Sequence, residues 1–234
     1  MGAIFRRELG SFFKSSIAYI FLAVFFLFSG YFFCAGTLYS STSDMSSMFG
    51  ALFLVILFLI PILTMKLLSE EKKQKTDQGI LTAPVGLWSI VLGKYLAALT
   101  LYIIGISITL VYALILSYFG TVVWSSVLAN YLALILLGSA FISIGVFISS
   151  LTENQMSSAI VSFVAIMLLY MIDSIANLFS VHIIKNILVS LSFYTRYLEF
   201  TSGIFNLSSV VFYISVAFLF NFFTVRVLEK KRWS

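Results

Sequence analysis

The chain has 234 residues, 61% of them hydrophobic and only 10% charged, with a mean hydropathy of +1.10, whereas a soluble domain carries about 25% charged residues. A water-soluble fold would leave far more bare apolar surface than a monomer tolerates, so a soluble enzyme, a nucleic-acid binder and a disordered tail are excluded and the bilayer is the solvent. The net charge of +5 then reads as a topology signal, and the spans leave no room for a second soluble domain of ordinary size (about 50–200 residues); any energy source or catalyst is expected on another chain.

In chain order, a short amphipathic segment carrying Arg6-Arg7-Glu8 precedes a charge-free stretch from Lys14 to Asp44. That stretch predicts a first span, Ile17 to Leu38. It is too long for a signal-peptide core and lacks a small-residue cleavage site, so it is expected to be retained. Cys34, the single cysteine, reads as a small apolar residue. The interval from Asp44 to Lys66 predicts a second span, Phe49 to Leu68. A charged segment, Leu67 to Lys94, follows. Lys94 to Glu153 is again charge-free and fits two helices with a turn near Ser117–Ser126, where Tyr118 and Trp124 suit a membrane boundary. Small residues at four-residue spacing (Gly105, Thr109, Ala113), and a cluster from Gly138 to Ser149, allow close helix approach. Glu153-Asn154-Gln155 marks a loop. A fifth helix is predicted from Met156 to Phe179 and a sixth from Leu207 to Val227, with an amphipathic, broken, interfacial or re-entrant stretch from Val181 to Gly203 between them. The fold class is all-α: a polytopic membrane protein with six transmembrane helices in a single domain, 1–234.

Lys and Arg gather at the amino end (Arg6, Arg7, Lys14), after the second helix (Lys66, Lys72, Lys73, Lys75, Lys94) and at the carboxyl end (Arg226, Lys230, Lys231, Arg232), all on one side of this path. The other side has only Lys185 and Arg196. The bias places both termini and the Glu153 loop in the cytoplasm of a multi-pass protein of the cell membrane.

The candidates for chemistry are few. Asp173 is the one acid deep in an apolar helix, and an intramembrane acid is a functional candidate. Counting about 1.5 Å per residue from Glu153 puts it roughly 30 Å along, at the outer interface, so a wet outer-leaflet position competes with a proton relay. His182 is the only histidine, too few for a zinc site, and no metal is expected. No Gly-x-Ser-x-Gly elbow is present, and Leu92-Gly93-Lys94 lacks the upstream glycine and following hydroxyl of a phosphate-binding loop. Lys185, Tyr194, Arg196 and Glu199 form an aromatic and charged group suited to lipid headgroups or an outward gate.

The segment after the second span carries the most information. It runs Ser69-Glu70-Glu71-Lys72-Lys73-Gln74-Lys75-Thr76-Asp77, then Ile80-Leu81, Pro84-Val85 and Gly93-Lys94 entering a helix. Pro84 interrupts any helix there, which predicts a short amphipathic helix along the cytoplasmic surface, a break, and then the third span. The order of acids, basic turn, Thr76, Leu81 and Pro84 resembles the membrane subunit of type-2 ABC transporters, most of all the compact permeases of gliding-motility and nitrous-oxide-reductase maturation systems. The Arg6-Arg7-Glu8 segment, the broken stretch before the last helix and the ending Arg226-Val227-Leu228-Glu229-Lys230-Lys231-Arg232-Trp233 share in the resemblance.

The resemblance implies a coupling helix at about 70–86 that docks on a cytoplasmic ATP-binding subunit, ATP and Mg being held by that partner and no cofactor by this chain. It also implies a second permease copy or a paralogue, and export. Charged ends can fix the register of such a contact and Ile80, Leu81 and Val85 can anchor it. Glu70, Glu71, Lys72, Thr76, Asp77, Leu81 and Pro84 are therefore the expected contact residues, with Glu153, Asn154 and Gln155 in the next cytoplasmic loop. Two other readings stay open: a channel or secondary transporter independent of ATP, and an intramembrane enzyme, which needs converging polar groups. No catalytic residue is predicted.

Overall fold

The computed structural model describes residues 1–40, 42–76, 85–178, 182–203 and 205–233. Among them the regular structure is helical, with no strand. The first helix, α1 (Gly2–Lys14), turns Glu8 and Phe12 inward. Ser15 ends it with an extended backbone and a hydroxyl that donates to the Phe12 carbonyl at 3.0 Å. The second, α2 (Ser16–Phe33), runs on through a single π turn, Cys34–Leu38. Asp44 opens α3 (Ser46–Thr64) by accepting from the Ser46 amide at 2.9 Å, one of the orphan donors of a helix start. α3 is apolar nearly all round, the mark of a helix enclosed by others.

Beyond α3 comes the short α4 (Ser69–Lys73), then α5 (Leu87–Ile106) and α6 (Ile108–Phe119). α5 and α6 make one apolar run offset at Ser107, whose hydroxyl bonds the Ile103 carbonyl at 2.7 Å in competition with the backbone ladder. After a turn at Gly120, α7 (Trp124–Leu151) forms the centre of the molecule. The buried share of its apolar window is 83%, against 28% for α2 and for the last helix, so α7 is shielded by the rest of the chain and the other two are largely uncovered by it. It packs on α3, on α5 and on the later α8 (Gln155–Tyr170), α11 (Phe193–Thr201) and α12 (Leu207–Trp233). Its small residues permit this. A side-chain carbon at Gly138 would collide with the Tyr102 ring, and one at Gly145 with Thr64; the Tyr102 hydroxyl donates to the Leu134 carbonyl at 2.7 Å.

The remaining elements are short: α9 (Ile172–Ala176) and α10 (His182–Ser190). Five helices among the described residues are long and apolar enough to cross a membrane. The stretch read as a fifth span, Met156 to Phe179, divides at Met171. Its α8 has 16 residues, below the roughly 20 of a single-helix span, and the short helix Ile172–Ala176 beyond the break carries the chain on to the opposite end of the molecule. The break falls where Asp173 turns aside to bind Ser192 and Thr195. The stretch from 182 to 203 folds as two short helices, as its broken pattern predicted. The last helix continues past Val227 to Trp233, carrying its basic residues as further helical turns.

Candidate functional site

The charged segment after α3 is held from three sides. Ser149, fully buried near the end of α7, accepts from the Leu68 and Ser69 amides at 3.1 Å each and donates to the Met65 carbonyl at 3.2 Å. These are the orphan amides at the start of α4, so a side chain of α7 serves as the cap that α4 lacks locally. Lys72 adds a second tie, donating to the Ser150 carbonyl. α4 ends at Lys73 and the chain turns at Lys75, which adopts the left-handed φ of 55°, while the Thr76 amide closes on the Glu71 carbonyl at 2.9 Å.

Opposite α7 lies an ionic cluster. Lys94, only 1% exposed, sits about 10 Å inside α5. Its Nζ meets Glu71 Oε1 at 2.8 Å and Glu8 Oε1 at 3.3 Å, and donates to the Leu67 carbonyl at 2.7 Å. Arg7 closes the group, with Nη2 at 2.6 Å from Glu8 Oε1 and 2.9 Å from Glu71 Oε1. Two cations thus balance two carboxylates, and a buried ammonium is tolerated only when so paired. The hydrogen bond that Arg7 donates to Glu8, with the nearby carboxylate charges, holds the Arg7 pKa above its ordinary value against the opposing effect of burial. Gly93 makes the meeting possible: a side-chain carbon there would lie 2.9 Å from Ile4 Cγ2, so only glycine lets α1 approach α5 closely enough for Glu8 to reach Lys94. Beside the cluster a cleft of about 400 Å³ is lined by Arg7, Lys66, Glu70, Glu71, Gln74 and Thr76, among others.

A family model described as ABC-2 type transporter matches residues 1–176, a stretch that contains α1, the ionic cluster and the whole of α3 to α8. The chain belongs to the ABC-2 type transporter family. It is a permease subunit of an ABC transporter and a multi-pass membrane protein. No curated protein matches the chain.

In this ABC-2 permease the residues expected at a motor contact divide into two groups. Glu71 and Lys72 are turned inward, onto α1, α5 and α7. Glu70 is half-buried and accepts from Gln74 at 3.3 Å, while Thr76 is exposed, as is Lys73, which is not among the expected residues. Asp77, Leu81 and Pro84 lie outside the described residues, as does Ile80. In the next loop on the same side, Asn154 caps α8 by accepting from the Met156 amide at 3.1 Å, Glu153 is exposed and Gln155 half-buried.

At the far end, Asp173 accepts hydrogen bonds from Ser192 and, at 3.0 Å, from Thr195. Ser192 itself caps α11 through the Thr195 amide at 3.0 Å. Asp173 therefore lies at a helix N-terminus, where a carboxylate is favoured, and ties α9 to α11. Arg196 donates to the Ser190 carbonyl at 2.7 and 3.1 Å and stacks on Phe212, with its guanidinium carbon 4.5 Å from the ring centre. Glu199 accepts from Asn206 at 3.1 Å and Ser209 at 3.0 Å. Tyr194 packs against Phe53 and Tyr170, and Lys185 is half-buried on α10. The structure gathers Arg196 and Glu199 at the α11–α12 junction. Sequence reasoning did not single out Arg7, Glu8, Lys94 and Ser149 as partners. One signal was available: a lone lysine two turns inside an apolar helix requires a carboxylate from elsewhere.

Proposed function

We propose that this permease moves its cargo outward across the cell membrane with energy from ATP hydrolysed on a cytoplasmic partner, and that the segment following α3 is where the two subunits are coupled. One observation carries the reading: the segment is tied to α1, α5 and α7 at once, by Glu71 to Arg7 and Lys94 and by Ser149 to the start of α4. A push on it is therefore delivered to the central helix and to an amphipathic helix together, as a transmission element requires. The exposed Lys73 and Thr76, the half-buried Glu70 and the adjoining charged cleft offer the polar complementarity that fixes register on a partner. The basic residues of α1, of this segment and of the end of α12 support a cytoplasmic position for this face and for both termini. The weak enclosure of α2 and α12 supports assembly with a second copy or a paralogous permease. ATP and Mg belong to the partner in this scheme.

The test is charge reversal at the half-buried Glu70 and the exposed Lys73. Glu70→Lys with Lys73→Glu should abolish co-purification with the ATP-binding subunit, together with vanadate-sensitive transport by the reconstituted pair. Unchanged assembly and unchanged ATP-driven transport would sink the reading. Glu71→Lys is the poorer probe, because it sets three cations together inside the permease.

A further inference from the structure

At the end of the molecule opposite the ionic cluster, two cavities adjoin. The first, about 610 Å³, is enclosed by the α2–α3, α6–α7 and α11–α12 connections and lined by Ser43, Asp44, Thr121, Ser126, Asn130 and Ser202, among others. Asp44 is the one charged side chain among its described lining residues. The second, about 560 Å³, shares Val123, Ser126 and Gly203 with the first and continues along α7 past Leu128, Leu132 and Phe205.

The polar cavity has an excess of acceptors. Asn130 is 1% exposed, and its Nδ2 is engaged with the Ser126 carbonyl at 2.9 Å and the Ser126 hydroxyl at 3.4 Å. Its Oδ1 is left buried without a partner, and a buried acceptor without a donor calls for a ligand that brings one. Asp44, held by Ser46 at 2.7 Å through Oγ and 2.9 Å through the amide, adds a negative charge at the mouth. The second cavity sets the depth. Trp124, Leu128 and Leu132 follow at four-residue spacing on one face of α7 and are all exposed. Tryptophan favours the membrane interface, which puts the polar cavity at headgroup level and the leucines one and two turns into the hydrocarbon.

We propose that this end of the permease holds a membrane lipid whose head group carries a primary ammonium. Its N–H groups meet Asn130 Oδ1 and the Asp44 carboxylate, the Ser43, Thr121 and Ser126 hydroxyls donate to its phosphate, and an acyl chain lies along Leu128 and Leu132. Such binding belongs to the permease itself, so it stands or falls separately from ATP-driven transport. The full chain is equilibrated in mild detergent with equal phosphatidylethanolamine and phosphatidylcholine, and retained lipid is read by native mass spectrometry. Phosphatidylcholine has the same charge but no N–H donor, so phosphatidylethanolamine should be retained about tenfold better, the size of one charge-assisted hydrogen bond. The preference should fall to parity in Asn130→Leu and in Asp44→Asn, the latter an exposed position that spares the fold. Equal retention of the two lipids by the unmodified chain would overturn the proposal, as would a preference that survives Asp44→Asn. Free ethanolamine displacing the lipid at equal concentration would overturn the lipid assignment in favour of a small amine.

Discussion

Replacing Lys94 with Met keeps the length and apolar stem of the side chain and removes one buried charge. Glu8 and Glu71 then face each other with only Arg7, half exposed, between them. At 2.8 Å from Glu71 and an effective dielectric of about 20, the Lys94 attraction is about 6 kcal/mol gross, much of it offset by the cost of taking the ions out of water. Removing one partner of a buried pair nevertheless costs about 3–5 kcal/mol, because the remaining charge is left uncompensated. Arg7 stays in place, so the low end, about 3 kcal/mol, is expected. For a chain of this length that corresponds to a fall of about 6–12 °C in melting temperature. The assay is thermal unfolding of the purified permease for Lys94→Met, Glu71→Gln and the double variant. The double variant leaves no unpaired carboxylate at position 71, so it should be less destabilised than the sum of the singles by about 2 kcal/mol. Effects that add to within about 0.5 kcal/mol would refute the pairing of these two side chains and, with it, the anchoring of the segment.

Gly93→Leu should lift α1 away from α5 by overpacking against Ile4, costing about 1–3 kcal/mol and raising amide exchange selectively over residues 2–14; unchanged exchange there would contradict the close approach. Asp173→Asn should weaken the bonds to Ser192 and Thr195 and lower stability by about 1–3 kcal/mol while leaving the pH profile of transport unmoved, and a transport defect at unchanged stability would restore the proton-relay reading. Asn154→Ala removes the α8 cap and should cost about 1 kcal/mol in thermal unfolding, with Asn154→Asp recovering it.

Much of the architecture is legible because spans and breaks are local. Charge-free intervals locate α2, α3, the α5–α6 run, α7 and α12, and the turn near Gly120 falls where Tyr118 and Trp124 suggest a boundary. α8 is misjudged in length because periodicity and hydropathy do not register that Asp173 has partners 19 and 22 residues away. The same limit governs the candidate site. Glu70 and Glu71 are neighbours in sequence with the same chemistry, yet one accepts from Gln74 on its own turn and the other closes a buried ionic cluster.

By itself the sequence determines that lipid is the solvent, since 10% charged residues cannot clothe a soluble surface, and that its cations gather at one end. Only the tertiary structure decides which of those charges are spent inside the chain. Arg7 and Glu71 are 64 residues apart, and Coulomb attraction follows distance through space rather than along the chain. A one-dimensional pattern therefore reports how many charges there are and on which side, and the packing of α1 over Gly93 selects which of them meet.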